Sequence, residues 1–151
     1  MPHAPSEDSL PLLVFDGDCG FCTAAVSWAA RRFRRPVEVA PWQRLDLDEL
    51  GLTREDVDLY AWWIERGDGA DAGPDAPAGL RKWRGHRAAG RALRHCRGIW
   101  PVFGLLLLLP PPVSWVWAAG YRLVARFRGY LPGATPACKL PPGERPTNRT
   151  S

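Results

Sequence analysis

Acid is scarce in the second half of this chain. Beyond residue 75 the only carboxylate side chain is Glu144, against 13 bases, whereas residues 1–75 hold 15 acids and 7 bases. The halves therefore carry −8 and +12, which the net +4 conceals. Lysine is nearly missing as well, with two against 18 arginines. Together with abundant Ala, Pro and Gly, that skew marks a compositional bias rather than a surface selected for phosphate. No nucleic-acid partner is expected. The opening MPHAPSEDSLPLLVF lacks a basic stretch followed by an apolar one, so it does not read as a secretory signal, and cytoplasmic residence is the expectation. There is no G-x-S-x-G elbow for a serine hydrolase and no glycine loop for a nucleotide, and His3, His86 and His95 make no HExxH. The most apolar stretch, Ile99 to Gly120, has the length of a membrane span but is cut by Pro101 and Pro110–Pro112. Each proline removes a backbone donor and bars the helical conformation of the residue before it. Two packed helices are expected there, with a surface-bound membrane segment as the alternative. No internal repeat is visible.

Enough apolar material is present for one buried core: 46% of the residues are hydrophobic and eight are tryptophan. Residues 1–11 are polar with prolines and are expected to fray, residues 12–130 to form the domain, and residues 131–151 to be an irregular tail. Leu12 to Phe15 is a short continuous apolar run ending in Asp-Gly, the pattern of a buried strand. Cys22, Val26, Ala29, Ala30 and Phe33 then form one stripe of a helix from about Gly20 to Arg34, with arginines crowding its last turn and Pro36 ending it. Val37 to Trp42 reads as a parallel second strand reached by a crossover. Thr53 with Asp56 has the spacing of a helix cap, and Leu59 to Glu65 is a third strand. The Gly, Ala, Asp and Pro loop RGDGADAGPDAPAG reads as an exposed connection to an antiparallel fourth strand, Leu80 to Arg84. Helices are expected over His86 to Arg97, Val102 to Leu109 and Val113 to Gly129. The class is α/β.

Within this frame Cys19-Gly-Phe-Cys22 stands at the head of the first helix. In a reducing compartment structural disulfides are rare, so a close cysteine pair points to redox chemistry or metal. Thiols at i and i+3 share one side of a helical turn and can close a small disulfide ring. Cys19, at the positive end of the helix dipole, is the expected nucleophile, its pKa drawn from about 8.5 towards roughly 7. Cys22, on the buried stripe, is expected to be the less accessible, resolving thiol. Asp16 can serve as the base that takes the proton of Cys22, while a carboxylate near a thiolate raises the cysteine pKa. Asp16 and Asp18 can equally cap the helix and hold the Asp-Gly turn. A zinc site would need two further ligands, for which His95, Cys96 and Cys138 are the candidates, without a second pair at ligand spacing. Cys96 reads as an inert core thiol, and Cys138 as a surface thiol or a third redox participant.

Asp16-Gly17-Asp18-Cys19-Gly20-Phe21-Cys22 resembles the signature of the DCC thiol-disulfide oxidoreductase family. The likeness extends to VAPWQ, LGLTREDV, AWWIE, GHRAAGRAL and YRLVARFRGYLPGATPAC. The resemblance implies a thioredoxin-like fold, with a small mixed sheet and here two additional C-terminal helices. It implies dithiol–disulfide exchange at Cys19 and Cys22, with Asp16 beside them and Asp18, Gly17, Gly20 and Phe21 shaping the turn. No bound cofactor or metal is required, and the partner is a protein or small-molecule thiol or disulfide. Thioredoxins shape their substrate groove with a cis-proline before the third strand, and DVDLYAWWIE has no proline. Peripheral contact with an anionic membrane, a protein-interaction role with idle cysteines, and a small zinc-binding domain are the alternatives.

Overall fold

A computed structural model of the 151-residue chain describes residues 10–66 and 79–136. Strands β1 (Leu12–Phe15), β2 (Glu38–Pro41), β3 (Trp62–Arg66) and β4 (Leu80–Arg84) form one sheet in the order β2-β1-β3-β4. β1 pairs parallel with β2 and antiparallel with β3, which pairs antiparallel with β4. Helices α1 (Gly20–Ala30), α2 (Arg54–Leu59), α3 (His86–Arg94), α4 (Trp100–Leu107) and α5 (Val113–Phe127) complete the described elements, with 3-10 turns at Trp42–Arg44 and Arg128–Tyr130. A mixed sheet in this order, with a cysteine-headed helix after its central parallel strand, is the thioredoxin-like arrangement. The sequence pattern is realised in kind: strand, helix, parallel strand, then a returning hairpin.

Period-two alternation divides the core between the sheet faces. Leu12, Val14, Trp62 and Ile64 pack with Trp42, Leu50, Leu52 and Val57 on one side. Leu13 and Trp63 pack with Ala88 and Ala92 of α3 on the other. All four residues of β1 are buried, as the continuous apolar run predicts for a strand covered on both faces. Trp63 has no exposed surface, and truncating such a side chain to alanine costs about 3–5 kcal/mol. At the cap of α2 the Thr53 hydroxyl accepts from the Asp56 backbone N–H at 3.2 Å, while the Asp56 carboxylate accepts from Thr53 N–H at 3.0 Å.

Two helix ends fall short of their sequence reading for one reason. α1 stops at Ala30 rather than Arg34, and α3 at Arg94 rather than Arg97, because Phe33 and Cys96 form an isolated antiparallel bridge. Arg34 N–H donates to His95 C=O at 2.8 Å and Arg97 N–H to Arg32 C=O at 2.9 Å. The arginine cluster therefore lies past α1 instead of in its last turn. Arg32 still reaches back, donating to Trp28 C=O at 3.0 Å. α3 and α4 approach closely at two glycines: a Cβ on Gly90 would lie 3.0 Å from the Gly104 carbonyl oxygen. The expected connection at residues 67–78 and the ends 1–9 and 137–151 lie outside the described residues, and Cys138 with them. Among the described residues no helix is long and apolar enough to cross a membrane, and the proline triplet stands between α4 and α5.

Candidate active site

The end of β1 and the head of α1 bring the motif together. Asp16 is almost wholly buried, and its Oδ1 accepts from the Asp18 backbone N–H at 3.1 Å and from Gln43 Nε2 at 3.0 Å. Gln43 Nε2 also donates to Asp18 Oδ2 at 3.1 Å, and Gln43 Oε1 accepts from Gly17 N–H at 3.1 Å. One side chain from the turn after β2 thus clamps the whole Asp-Gly-Asp segment. A Cβ on Gly17 would lie 2.7 Å from the Pro41 ring, so the turn needs glycine to sit against β2.

Of the alternative in which Asp16 and Asp18 cap the helix and hold the Asp-Gly turn, the turn is seen and no side-chain cap bond is made at the N-cap. Cys19 is itself the N-cap residue, in an extended conformation and with no side-chain cap bond. The orphan Gly20 N–H is met from far along the chain: the Thr135 hydroxyl accepts from it at 3.2 Å and donates to Asp18 C=O at 2.6 Å. Gln43 holds one carboxylate oxygen of Asp16 and one of Asp18.

Exposure of the two cysteines is the reverse of the sequence expectation. Cys19 has no exposed surface, whereas Cys22 is half-buried. Cys22 does lie on α1, but residues 133–135 cross the head of that helix beside Cys19, a contact that the helical periodicity does not encode. A Cβ on Gly20 would collide with the Gly133 carbonyl and would lie 2.8 Å from the Thr135 methyl. Cys19 and Cys22 lie 3.2 Å apart. Cys19 is engaged in a disulfide, while Cys22 and Cys96 are free thiols.

Burial is the main influence on Cys22 and raises its pKa above the ordinary 9.0. The Arg128 guanidinium opposes this, and the negative charge of Asp16 adds to it. Arg128 Nη1 lies 3.8 Å from Cys22 Sγ, while its Nη2 donates to Asp58 C=O at 2.8 Å. A half-buried thiol with a guanidinium at this distance can have its thiolate stabilised in place once the proton has left.

Beside Cys22 opens a mostly apolar cavity of about 390 Å³, with Phe15, Phe21, Val26, Tyr121 and Arg128 among its walls. The place before β3, where the sequence lacks a proline, is occupied by Tyr60 and Ala61. Ala61 N–H donates to Tyr121 Oη at 3.1 Å, and the Tyr60 and Tyr121 rings stack with centroids 6.1 Å apart. Burial raises the Tyr121 pKa above 10.0, so its hydroxyl stays protonated.

Gln43, Tyr121, Arg128 and Thr135 are site residues that sequence reasoning missed. Gln43 stood in the quoted VAPWQ segment, and the other three in the quoted segment beginning at Tyr121, so the signal lay in the likeness and not in any local spacing. His95 and Cys96 serve elsewhere. The His95 ring packs on Trp63 with Nδ1 2.9 Å from Arg91 C=O, and Cys96 Sγ lies 3.5 Å from Ala92 C=O. Among the described residues no group of three or more His, Cys, Asp or Glu gathers as a metal site.

A family profile described as DCC1-like thiol-disulfide oxidoreductase matches residues 13–134, from β1 through the segment that crosses α1. The chain belongs to this family. The match takes in α4 and α5, so the two additional helices, with Tyr121 and Arg128, fall within the shared region. No curated protein and no solved structure matches the chain.

Proposed function

We propose that the protein is a disulfide oxidoreductase in which Cys19 is the nucleophile and Cys22 the resolving thiol. The observation that carries this reading is the state of the pair: Cys19 is disulfide-bonded, and the free Cys22 lies 3.2 Å from it. Thiol–disulfide exchange needs an attacking sulfur within reach of a disulfide sulfur, and this spacing supports that reading.

In the reducing direction the Cys19 thiolate attacks one sulfur of a substrate disulfide. The Cys19–substrate bond forms, the substrate S–S bond breaks, and the leaving thiolate takes a proton. Cys22 then loses its proton, Asp16 being the acceptor, and its thiolate attacks Cys19 Sγ. The Cys19–Cys22 disulfide forms and the substrate leaves reduced by two electrons, with no bound cofactor in the cycle. Arg128 stabilises the Cys22 thiolate at the moment it forms. The substrate class is a protein or small-molecule disulfide that offers an apolar group to the cavity beside Cys22. Cytoplasmic residence suits a dithiol that must be kept reduced between turnovers.

The test is a titration in glutathione buffers with a mass-shifting alkylator, repeated on Cys19→Ser and Cys22→Ser. A reversible Cys19–Cys22 disulfide between roughly −270 and −180 mV is expected. Its absence across that range would falsify the assignment.

A second reading concerns where the exchange takes place. α4 and α5 leave Val102, Leu105, Trp115, Val116 and Leu123 exposed, Trp115 at 69%. Arg122 and Arg126 stand exposed among them in the base-rich half of the chain. Apolar and tryptophan side chains interleaved with arginine suit the interface of an anionic bilayer. Flotation should recover the protein with vesicles containing anionic lipid and much less with zwitterionic ones. Equal recovery, or none with either, removes this reading and leaves the exchange chemistry untouched.

A further inference from the structure

We propose that the cavity between the end of α1 and the end of α3 is an anion site that takes a soluble diphosphate. It stands apart from the exchange reading, because Arg34 and Arg35 follow α1 whereas Cys19 and Cys22 stand at its head, about 15 Å of helix away. The cavity, of about 450 Å³, is lined among the described residues by Arg34, Arg35, Arg91, Arg94 and His95 alone. The arginine skew of the chain is compositional, but this gathering is a product of the fold. The bridge of Phe33 with Cys96, with Arg34 N–H donating to His95 C=O at 2.8 Å, brings the residues after α1 against the last turn of α3. Two pairs of arginines far apart in sequence thereby face one space.

Arginine near a helix C-terminus has an ordinary use, donating to the last carbonyls. Arg32 has that use, and these four do not. Among the described residues the guanidiniums of Arg34, Arg35 and Arg94 make no ion pair and no hydrogen bond. Arg91 is pinned from two sides: its Nη1 lies 3.3 Å from Glu65 Oε1, and its guanidinium carbon stands 3.4 Å from the centroid of the Trp83 ring. Its Nε is buried without a hydrogen-bond partner. Burial depresses the Arg91 pKa, Glu65 opposes this, and the positive charges of Arg81 and Arg94 depress it further. His95 completes the wall, its ring against Trp63 and its Nδ1–H donating to Arg91 C=O at 2.9 Å. The cluster is short of negative charge, and a bound anion supplies it.

Charge and wall chemistry select the ligand. Four guanidiniums less the Glu65 carboxylate leave +3, and the C-terminal end of α3 sets about half a negative charge against it. A single phosphate carries about −1.5 to −2 near neutral pH, so two linked phosphates balance the site and one does not. The planar fork of each guanidinium matches phosphate oxygens two at a time. Among the described residues no apolar side chain lines the cavity to receive a lipid chain, and no Trp, Tyr or Phe to stack on a base. The site therefore recognises the diphosphate itself, in a soluble ligand.

The experiment is isothermal titration of the full-length, reduced protein with inorganic pyrophosphate, inorganic phosphate and sulfate at matched ionic strength. One pyrophosphate per chain is expected, bound about tenfold or more tighter than phosphate or sulfate. Arg34→Gln with Arg94→Gln should weaken pyrophosphate binding by about tenfold or more, because each lost guanidinium removes a charge-assisted hydrogen bond. Both side chains are exposed, so the circular dichroism spectrum should not change. Arg122→Gln with Arg126→Gln removes the same charge from exposed positions of α5, and should change the affinity less than about twofold. An absence of saturable binding overturns the proposal. Equal affinities for the three anions do so too, as does equal weakening by the two double variants. Binding to vesicles containing phosphatidic acid, with none to pyrophosphate, would assign the arginines to a lipid headgroup and overturn it as well.

Discussion

Arg128 Nη1 stands 3.8 Å from Cys22 Sγ across 106 residues of sequence, and the same guanidinium holds the Asp58 carbonyl at 2.8 Å. The arginine is thereby fixed in place and almost wholly buried, so its charge acts on the thiol with little screening. Because it lowers the Cys22 pKa against the effect of burial, Arg128→Met should move that pKa further up. Alkylation of Cys22 at neutral pH should slow by about tenfold, which corresponds to one pKa unit. Arg128→Lys, which keeps the charge, should recover part of the rate. The readout is the pH profile of iodoacetamide modification at Cys22, with circular dichroism to verify the fold. Identical profiles for wild type and Arg128→Met would show that the guanidinium is only a structural tie.

Asp16 and Cys22 lie at the junction most legible in the sequence, and the limits of that legibility have a physical cause. A buried strand, an Asp-Gly turn and a helix opening on a cysteine are local patterns, and each is written in neighbouring residues. What covers Cys19 is not local: the Thr135 contacts span 115 and 117 residues. The stripe of α1 correctly assigned Cys22 to the inner side yet carried no information on a segment arriving from the far end of the chain. The same holds for the helix ends, where pairing of Phe33 with Cys96 overrode a periodicity that continued to Arg34. Arg128 and Tyr121 belong to the additional helical region, whose sequence reads as apolar helix with scattered arginines. Nothing in that local pattern says which arginine turns inward.

Asp16→Asn separates two roles that a carboxylate beside a thiol can play. Its negative charge raises the Cys22 pKa, so removing the charge should enlarge the thiolate fraction and speed alkylation of Cys22 several-fold. If Asp16 also takes the Cys22 proton during resolution, the same variant should resolve a Cys19–glutathione mixed disulfide on the order of a hundredfold more slowly. The two rates are then expected to move in opposite directions. Stopped-flow release of glutathione and parallel alkylation give both. Acceleration of both would leave Asp16 an electrostatic influence and no more.

Alkaline pH should destabilise the fold. Cys22 and Cys96 are raised from 9.0 and Tyr121 from 10.0, each chiefly by burial. An acid whose pKa is raised on folding keeps a proton that the unfolded chain has already lost. Its contribution is complete below the unfolded value and disappears as pH climbs through the folded one. Thermal midpoints measured from pH 7 upward should therefore hold level to about 9 and then decline. Cys22→Ser, which removes one of these protons, should decline less steeply. Parallel curves for the two proteins would show that Cys22 ionises alike in the folded and unfolded chains.

Gly20→Ala tests what keeps Cys19 out of solvent. Alanine favours a helix over glycine by about 1 kcal/mol in an interior position, so α1 itself should not be weakened. The new methyl instead enters the space of the Gly133 carbonyl and comes to 2.8 Å from the Thr135 side chain, and the crossing segment must move away. Thr135→Val reaches the same end by another route. It keeps the shape of the side chain and deletes the hydroxyl that bonds Gly20 N–H and Asp18 C=O. Two hydrogen bonds at about 1 kcal/mol each would correspond to roughly thirtyfold in the open population. Both variants, fully reduced, should therefore expose Cys19 to alkylation at least tenfold faster than wild type, while Cys96, buried at the far end of α1 against Ala29, should be unaffected. Concordant acceleration at Cys19 alone identifies residues 133–135 as its cover. Unchanged Cys19 reactivity in both would mean that α1 and the Asp-Gly turn bury this thiol without help.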